Sequence, residues 1–179
     1  MNREQRVVLA EQTVAIIKRG EYTSPSGRTI RIADELNAAV KHTKLYRPAD
    51  FPAEIKVVGN EPNVTIEVTA ESTLEAAYRL VTAHQDSRPL CLNFASARNP
   101  GGGFLGGSQA QEESLARSSG LYASLTSQME MYEFNRRERS LLYSDHMIYS
   151  PDVPVFRDDD GGLLESPYLA SLITTPAVN

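Results

Sequence analysis

A glycine-rich stretch constrains the fold of this 179-residue chain more than any other segment. Five of the chain's eleven glycines lie between an apolar run that ends at Phe94 and a helical pattern that begins near Glu112. Glycine clusters lose much backbone entropy on folding, so they occur mainly where a chain turns tightly or approaches a ligand closely. The adjacent carboxylates of Glu112 and Glu113 follow the glycines. The pattern predicts a ligand site, and the acid pair favours a catalytic one.

Composition narrows the class of protein. Hydrophobic residues make up 41% and charged residues 23% of the chain, which is typical of a single globular domain. The net charge of -5 disfavours general binding to nucleic-acid backbones, which requires a basic face. No apolar run approaches the roughly 20 residues that span a bilayer, and the N-terminus lacks the apolar core of a signal peptide. We therefore expect a cytoplasmic protein without membrane or direct nucleic-acid partners. We also expect a monomer, although composition does not determine the oligomeric state.

The residues that most often bind metals or form disulfides are sparse. Cys91 is the single cysteine and lies in an apolar run, which predicts a buried, inert thiol. The three histidines are far apart in the sequence: His42, His84 and His146. The acidic run 158–160 lacks the remaining ligands of a calcium loop, so we interpret it as a turn. A basic cluster at Arg136, Arg137 and Arg139 is interpreted as a solvated face. We predict no metal and no cofactor.

Periodicity predicts the elements of the N-terminal part. Residues 3–19 have the pattern of an amphipathic helix that ends at Gly20 as its C-cap. Residues 21–32 predict a hairpin with its turn at 24–27, and residues 33–44 a second helix. We interpret residues 1–54 as a mostly helical accessory segment that packs on the domain after it.

The rest of the chain predicts an α/β fold with a parallel or mixed sheet. A strand at 63–69, a helix from residue 72 or 73 to 81 and a buried strand at 89–94 would form a βαβ unit, which places the glycines at the carboxyl end of a strand. The patterns that follow predict a helix at 112–125, a short helix within 130–142, and strands at 147–150, 153–156 and 168–178. A sheet that ends on a strand lacks cover, so we expect a fragment or a naturally truncated chain.

Two chemical uses of the glycine stretch can be separated by its neighbours. Successive backbone N–H groups and a following helix suit a phosphate, but the Gly-Lys-Ser/Thr ending of a nucleoside-triphosphate loop is missing. A dinucleotide pattern at Gly101, Gly103 and Gly106 is weak, because a five-glycine stretch satisfies many patterns. Adjacent helical residues point about 100° apart, so Glu112 and Glu113 would divide the labour. One carboxyl would bind a sugar hydroxyl and the other would transfer a proton in glycosidic cleavage.

The protonation of this acid pair depends on opposing effects. A helix N-terminus lowers the pKa of both carboxyls, whereas crowding with each other and with a bound diphosphate raises it. We therefore expect a protonated acid at neutral pH only in the complex. The alternative is that Glu112 and Glu113 are merely favourable first-turn residues of a helix.

The spacing of these residues carries a family resemblance. The triplet at 101–103, seven further residues and then Gln111, Glu112 and Glu113 resemble the signature of the poly(ADP-ribose) glycohydrolases. The block 92–105 resembles their bacterial, microbial-type branch. The resemblance implies a macrodomain-like three-layer α/β/α fold with a mixed sheet and an N-terminal helical extension. Residues 55–179 would form the catalytic domain, which is incomplete, because family members continue past a segment like 171–179 into a second glycine-containing loop and further strands.

The resemblance also implies roles for the residues of the motif. Glu113 would protonate the ribose–ribose glycosidic oxygen and then activate water, without a metal, and Glu112 would hold the ribose hydroxyls. The implied substrate-binding set comprises Asn93, Asn99, Gly101, Gly102, Gly103, Phe104, Gly106, Gly107 and Gln111. The expected partners are poly(ADP-ribose) or ADP-ribose and ADP-ribosylated proteins.

Three functions remain open from the sequence. The first is a poly(ADP-ribose) glycohydrolase that releases ADP-ribose. The second is a non-catalytic reader that binds ADP-ribose. The third is a hydrolase that removes single ADP-ribose units from protein side chains. Product analysis on polymer and on mono-modified protein distinguishes the first from the third, and binding without product identifies the second.

Overall fold

The computed structural model describes residues 1–52, 64–83, 87–138 and 142–177. Within these ranges the chain forms a two-stranded hairpin and a four-stranded mixed sheet with helices packed on it. The α/β fold with a mixed sheet is the one that the sequence predicts. None of the helices in these ranges is both long and apolar enough to traverse a lipid bilayer.

The N-terminal elements follow the predicted order. Helix α1 (Arg3–Arg19) begins at a capping box of Asn2 and Gln5, and Gly20 ends it at φ 71°. Strands β1 (Glu21–Thr23) and β2 (Thr29–Arg31) pair as the predicted antiparallel hairpin. Helix α2 (Ala33–His42) ends two residues earlier than predicted.

The central sheet has the order β3-β5-β6-β4. Its strands are β3 (Lys44–Tyr46), β4 (Leu90–Ala95), β5 (Met147–Arg157) and β6 (Leu163–Pro176). Strand β4 is parallel to β6, and the other two pairs are antiparallel. Among the described strands β4 is therefore at one edge of the sheet, and its carboxyl end leads toward the glycine stretch.

Four further helices complete the described fold: α3 (Thr73–Ala83), α4 (Gln111–Ser118), α5 (Leu121–Thr126) and α6 (Met129–Arg137). With α2 they bury one face of the sheet, where Ile148 and Leu172 meet Leu121, Leu125 and other core residues. On the opposite face, Leu90, Leu92 and Phe94 of β4 are 58%, 45% and 58% exposed. The hydrophobic core therefore lies on the face of the sheet that the helices cover. The core residues behind the glycine stretch lie on this same face.

The predicted strand at 63–69 is wrong for its described part. Residues 64–69 form no strand, and Val64, Ile66 and Val68 are 72%, 86% and 96% exposed. Residue 63 lies outside the described ranges. Alternation indicates which side chains share a face, but a strand also needs a hydrogen-bonding neighbour, and no described strand pairs with this segment. The parallel partner of β4 is instead β6, from the far end of the chain.

Other predicted boundaries change where tertiary contacts intervene. The helix predicted at 112–125 is divided into α4 and α5, because Ser119 forms a β-bridge to Val155 and the Gly120 N–H donates to the Pro154 carbonyl. The strands predicted at 147–150 and 153–156 are one strand with an irregularity around Asp152. Strand β6 begins five residues before the predicted one, and residue 178 is outside the described ranges.

Strand β3 lies inside the predicted accessory segment, residues 1–54, and yet it pairs with β5 of the central sheet. Residues 54 and 55, where the boundary was placed, lie outside the described ranges, and the division remains a prediction.

Residues 158–162 form a turn in which the Asp158 carboxylate accepts the Gly162 N–H, as predicted. Arg136 and Arg137 are exposed, and residue 139 is not described.

Cys91 is half-buried against the main core, and burial raises the pKa of its thiol. Two of the three histidines can be placed. His42 ends α2 on the surface, and His146 is buried beside the Phe134 ring, whereas residue 84 is not described.

Candidate active site

The glycine loop, residues 101–107, lies beyond the carboxyl end of β4. It folds as consecutive tight turns, in which the Gly102 N–H donates to the Asn99 carbonyl at 2.9 Å and the Phe104 N–H to the Gly101 carbonyl at 3.2 Å. A short 3-10 turn, Phe104–Gly106, follows and ends at Gly107 with φ 74°. The loop then leads into α4, whose first turn carries the carboxylate pair. The placement agrees with the expected position of a ligand site in an α/β sheet.

The Phe104 side chain anchors the loop to the hydrophobic core. Its side chain is 1% exposed and packs against the Tyr122 ring, with 4.9 Å between ring centroids. A Cβ at Gly101 would lie 3.0 Å from the Phe104 ring and 3.2 Å from the Ala116 methyl, so this part of the loop is closely packed on the core. Phe104 was predicted to bind substrate. Its side chain is buried in the core, and a substrate contact by this residue remains a prediction.

Glu112 points into the protein. Its side chain is 3% exposed, Oε2 accepts the Ser96 N–H at 2.7 Å, and Oε1 is buried without a hydrogen-bond partner among the described residues. Burial and the charge of Glu113 raise the pKa of Glu112, the Ser96 N–H and the nearby polar groups of Asn93 and Gly101 lower it, and the net pKa is about 7. The expectation that the acid is protonated at neutral pH only in the complex stays a prediction, whereas for Glu112 burial favours the neutral form already in the free protein.

Glu113 points toward the glycine loop. Its Oε1 accepts the Gly103 N–H at 2.9 Å, and the residue is 9% exposed. The two adjacent glutamates thus have different surroundings, as the 100° spacing predicted: one reaches back to the strand end at Ser96 and the other reaches across to the loop.

Gly102 is the point at which the loop and both carboxylates meet. A Cβ at this position would collide with Glu113 Oε1 and would lie 3.0 Å from Glu112 Oε2. The residue also has φ 59°, a left-handed conformation that side chains disfavour. Glycine at 102 is therefore required twice, by the backbone conformation and by the close approach of the acid pair.

Gln111 joins α4 to the neighbouring elements. Its Oε1 accepts the Phe94 N–H at 2.9 Å, and its Nε2 donates to the Leu92 carbonyl at 2.7 Å and to Thr73 Oγ1 at 3.0 Å. These bonds fix the first turn of α4 against β4. They give Gln111 a positioning role, and a direct ligand contact by its side chain remains a prediction.

The two predicted asparagines occupy different environments. Asn93 is fully buried, its Nδ2 donates to Thr174 Oγ1 at 3.1 Å, and its Oδ1 has no hydrogen-bond partner in the described part of the chain. It lies close to Glu112 and lowers the pKa of that carboxyl. Asn99 is exposed at the start of the loop, so its side chain is free to meet a ligand.

Three arginines contact the end of the loop, and the sequence analysis missed them. The carbonyls of Gly106, Gly107 and Ser108 accept hydrogen bonds from Arg3, Arg6 and Arg117, respectively. A Cβ at Gly107 would lie 2.5 Å from the Arg3 carbonyl oxygen, so α1 packs directly on the loop. One signal was present in the sequence. Two arginines stand in the first turn of α1, where the helix dipole disfavours cations.

The chain is similar to known proteins of one family. Residues 10–158 match the family model described as microbial-type PARG, catalytic domain, where PARG denotes poly(ADP-ribose) glycohydrolase. The poly(ADP-ribose) glycohydrolase of Thermomonospora curvata is 52% identical, with a TM-score of 0.94 over 98% of this chain and 65% of that chain. No curated protein matches the sequence.

Two related structures contain ligands. The Thermomonospora curvata enzyme bound to the inhibitor ADP-HPD is 52% identical, with a TM-score of 0.89 over 98% of this chain and 64% of that one. The Deinococcus radiodurans poly(ADP-ribose) glycohydrolase in complex with ADP-ribose is 43% identical, with a TM-score of 0.69 over 84% and 60% of the two chains. The present chain thus spans less than two thirds of the length of these relatives.

Proposed function

The chain belongs to the microbial-type poly(ADP-ribose) glycohydrolase family, and from this premise we propose that it hydrolyses ribose–ribose O-glycosidic bonds of poly(ADP-ribose) to release ADP-ribose. The single observation that carries the proposal is the convergence of two buried carboxylates on Gly102, at the loop that precedes α4. Glycosidic cleavage needs a proton donor at the leaving oxygen and stabilisation of an oxocarbenium-like centre. An acid pair suits both requirements, because one carboxyl can donate the proton and the other can lie beside the cationic centre.

Glu113 is the residue that we assign to proton transfer. In the first step its protonated carboxyl donates to the ribosyl oxygen as the glycosidic bond breaks. In the second step its carboxylate accepts a proton from the water that attacks the anomeric carbon, so the enzyme returns to its initial state. The hydrogen bond from Gly103 at 2.9 Å supports this assignment, because it holds one carboxylate oxygen in a fixed direction.

Glu112 is assigned to the ribose hydroxyls. Its unpartnered Oε1 leaves one acceptor position open, and a hydroxyl that donates to it would satisfy a buried polar atom. A second assignment has a specific observation in its favour. Because burial raises the pKa of Glu112 to about 7, this carboxyl holds a proton at neutral pH more readily than an exposed glutamate does, and it is the alternative proton donor.

The ligands that we propose are poly(ADP-ribose) and ADP-ribose, with ADP-ribosylated proteins as the source of the polymer. The relatives in complex with ADP-ribose and with ADP-HPD support this substrate class. The glycine loop would pack along the diphosphate, close to the N-terminal end of α4, which favours negative charge.

Product analysis on two substrates tests the proposal. The chain is incubated with poly(ADP-ribose) and, separately, with a mono-ADP-ribosylated protein, and ADP-ribose is quantified by chromatography. The proposal predicts release from the polymer and little from the mono-modified protein. Release from the mono-modified protein alone would assign the third function considered above. Calorimetric binding of ADP-ribose without any product would assign the reader function instead.

A further inference from the structure

Three consecutive carbonyls of the loop each accept a hydrogen bond from a different arginine. Arg3 Nε donates to the Gly106 carbonyl at 2.9 Å, and Arg6 Nε donates to the Gly107 carbonyl at 2.7 Å. Arg117 Nη1 donates to the Ser108 carbonyl, also at 2.7 Å. Two of the arginines come from α1 and one from α4. Segments about 100 residues apart in sequence therefore hold the same stretch of backbone.

The three arginines occupy positions that disfavour a positive charge unless the loop supplies hydrogen-bond acceptors for it. Arg3 and Arg6 stand in the first turn of α1, where the helix dipole repels cations. Arg117 is 3% exposed, and burial and the nearby charge of Arg6 lower the pKa of its guanidinium, whereas the charge of Glu113 opposes them. Within the described ranges, no carboxylate forms an ion pair with any of the three. The loop carbonyl oxygens are thus acceptors for all three guanidinium groups, and Arg6 Nη1 donates in addition to the Met1 carbonyl at 2.9 Å.

A chain of hydrogen bonds leads from Arg6 to the acid pair. In the peptide that joins Gly107 to Ser108, the carbonyl accepts from Arg6 and the N–H donates to the Gly103 carbonyl at 3.1 Å. The Gly103 N–H in turn donates to Glu113 Oε1 at 2.9 Å. A cation on a peptide oxygen polarises the peptide and strengthens the bond made by its N–H. Gly103 is consequently held on both sides, by the clamped peptide and by the carboxylate.

We propose that Arg3, Arg6 and Arg117 form a guanidinium clamp that fixes the glycine loop and, through Gly103, positions the Glu113 carboxylate. These arginines are positioning residues, because they act on the acid through the backbone of the loop. The inference rests on the proposed function in so far as it makes Glu113 the acid that is positioned. It gives α1 a direct part in organising the site, beyond covering the domain.

The test uses Arg6→Met, which keeps an unbranched apolar stem and removes the donors, and Arg6→Lys, which keeps the charge. The matched control is Arg19→Met, at an exposed position in the last turn of the same helix. Hydrogen exchange and NMR are measured on the free proteins, so neither readout requires hydrolysis. The amide proton of Gly103 is followed through a pH titration, since it reports the ionisation of the carboxylate that it contacts.

We expect Arg6→Met to raise the exchange rates of the Gly103 and Ser108 amides about tenfold or more, which corresponds to the loss of one charge-assisted hydrogen bond. The Gly103 amide shift should lose its dependence on Glu113, and Arg6→Lys should restore part of it. Arg19→Met should leave both readouts unchanged. The melting temperature distinguishes the clamp from the helix dipole. The dipole alone predicts that Arg6→Met raises Tm, whereas the clamp predicts that it lowers Tm.

Three other results would each contradict one part of the account. Exchange rates within about twofold of wild type would overturn the clamp. Faster exchange with an unchanged Gly103 titration would overturn the positioning of Glu113. A wild-type protein that hydrolyses no polymer would contradict the proposed function, whereas the exchange and titration data would still decide the clamp.

Discussion

The Gly103 N–H donates to Glu113 Oε1 at 2.9 Å, across ten residues of sequence. This bond joins the glycine loop to the first turn of α4 and so fixes the direction of the carboxylate that we assign to proton transfer. Its neighbour Gly102 has no side chain to separate the loop from the acid pair. The spacing of glycines and glutamates in the sequence thus corresponds to one physical contact in the fold.

Replacement of Gly102 by alanine should disrupt the acid pair. The new Cβ would collide with Glu113 Oε1 and would occupy a left-handed backbone conformation, so we expect a loss of about 1–3 kcal/mol in the free energy of unfolding. Hydrolysis should fall by about 100-fold or more, because small displacements of catalytic groups have effects of this size. Thermal denaturation and ADP-ribose release measure the two effects.

The control is Gly27→Ala in the hairpin turn. Gly27 also has positive φ, at 83°, but no atom lies within 4 Å of a Cβ placed there. Both variants should lose stability through backbone strain, and only Gly102→Ala should lose activity. Equal activities in the two variants would show that contact with the acid pair is unimportant.

The raised pKa of Glu112 predicts a pH dependence of stability. Between its usual value of 4.5 and about 7, the folded protein binds this proton more tightly than the unfolded chain does. The contribution of Glu112 to stability therefore falls as the pH rises through this window, by a total of about 3 kcal/mol. Glu112→Gln stays neutral, so its free energy of unfolding relative to wild type should increase from pH 4.5 to pH 7 and then level off.

Urea denaturation at several pH values measures this difference. The exposed Glu133→Gln is a suitable control, because it replaces the same chemical group on the surface of α6. Its stability relative to wild type should change little across the window. A flat curve for Glu112→Gln as well would mean that the pKa of Glu112 is not raised in the folded protein.

Gln111→Glu should destabilise the start of α4. The isosteric carboxylate can still accept the Phe94 N–H, but it cannot donate to the Leu92 carbonyl or to Thr73 Oγ1. We expect a loss of about 2 kcal/mol in the free energy of unfolding, because a charged oxygen would then face a carbonyl oxygen. Gln109→Glu, at an exposed loop position whose side chain makes no hydrogen bond within the described ranges, adds the same charge nearby and should change stability by less than about 0.5 kcal/mol. Similar losses in the two variants would indicate a general charge effect.

Local signals in the sequence were sufficient for much of the fold. The helix that ends at Gly20 and the hairpin after it depend on caps and turns, and their residues specify these locally. The segment 64–69 shows the limit of this approach, because alternation indicates a face and contains no information about a partner strand. The break between α4 and α5 depends on a bridge from Ser119 to Val155, and such a contact is set only by the tertiary fold.

The site divides in the same way. The spacing of the glycines from Glu112 and Glu113 predicted a loop with an acid pair, and the contacts at Gly102 agree with it. The different burial of the two glutamates could not be predicted, since it depends on where the fold places Ser96 and the core residues behind the glycine loop. The arginines were missed because a guanidinium that binds a backbone carbonyl needs no particular residue type opposite it.

The central claim is that Glu113 transfers the proton in glycosidic cleavage. The most direct measurement is the rate of ADP-ribose release from poly(ADP-ribose) by wild type, Glu113→Gln and the surface control Glu133→Gln, with ADP-ribose affinity determined by calorimetry on the same samples. Our account predicts that Glu113→Gln retains binding and loses release by about 1,000-fold or more, in keeping with the loss of a general acid–base, and that Glu133→Gln behaves as wild type. Release by Glu113→Gln within about tenfold of wild type would contradict it.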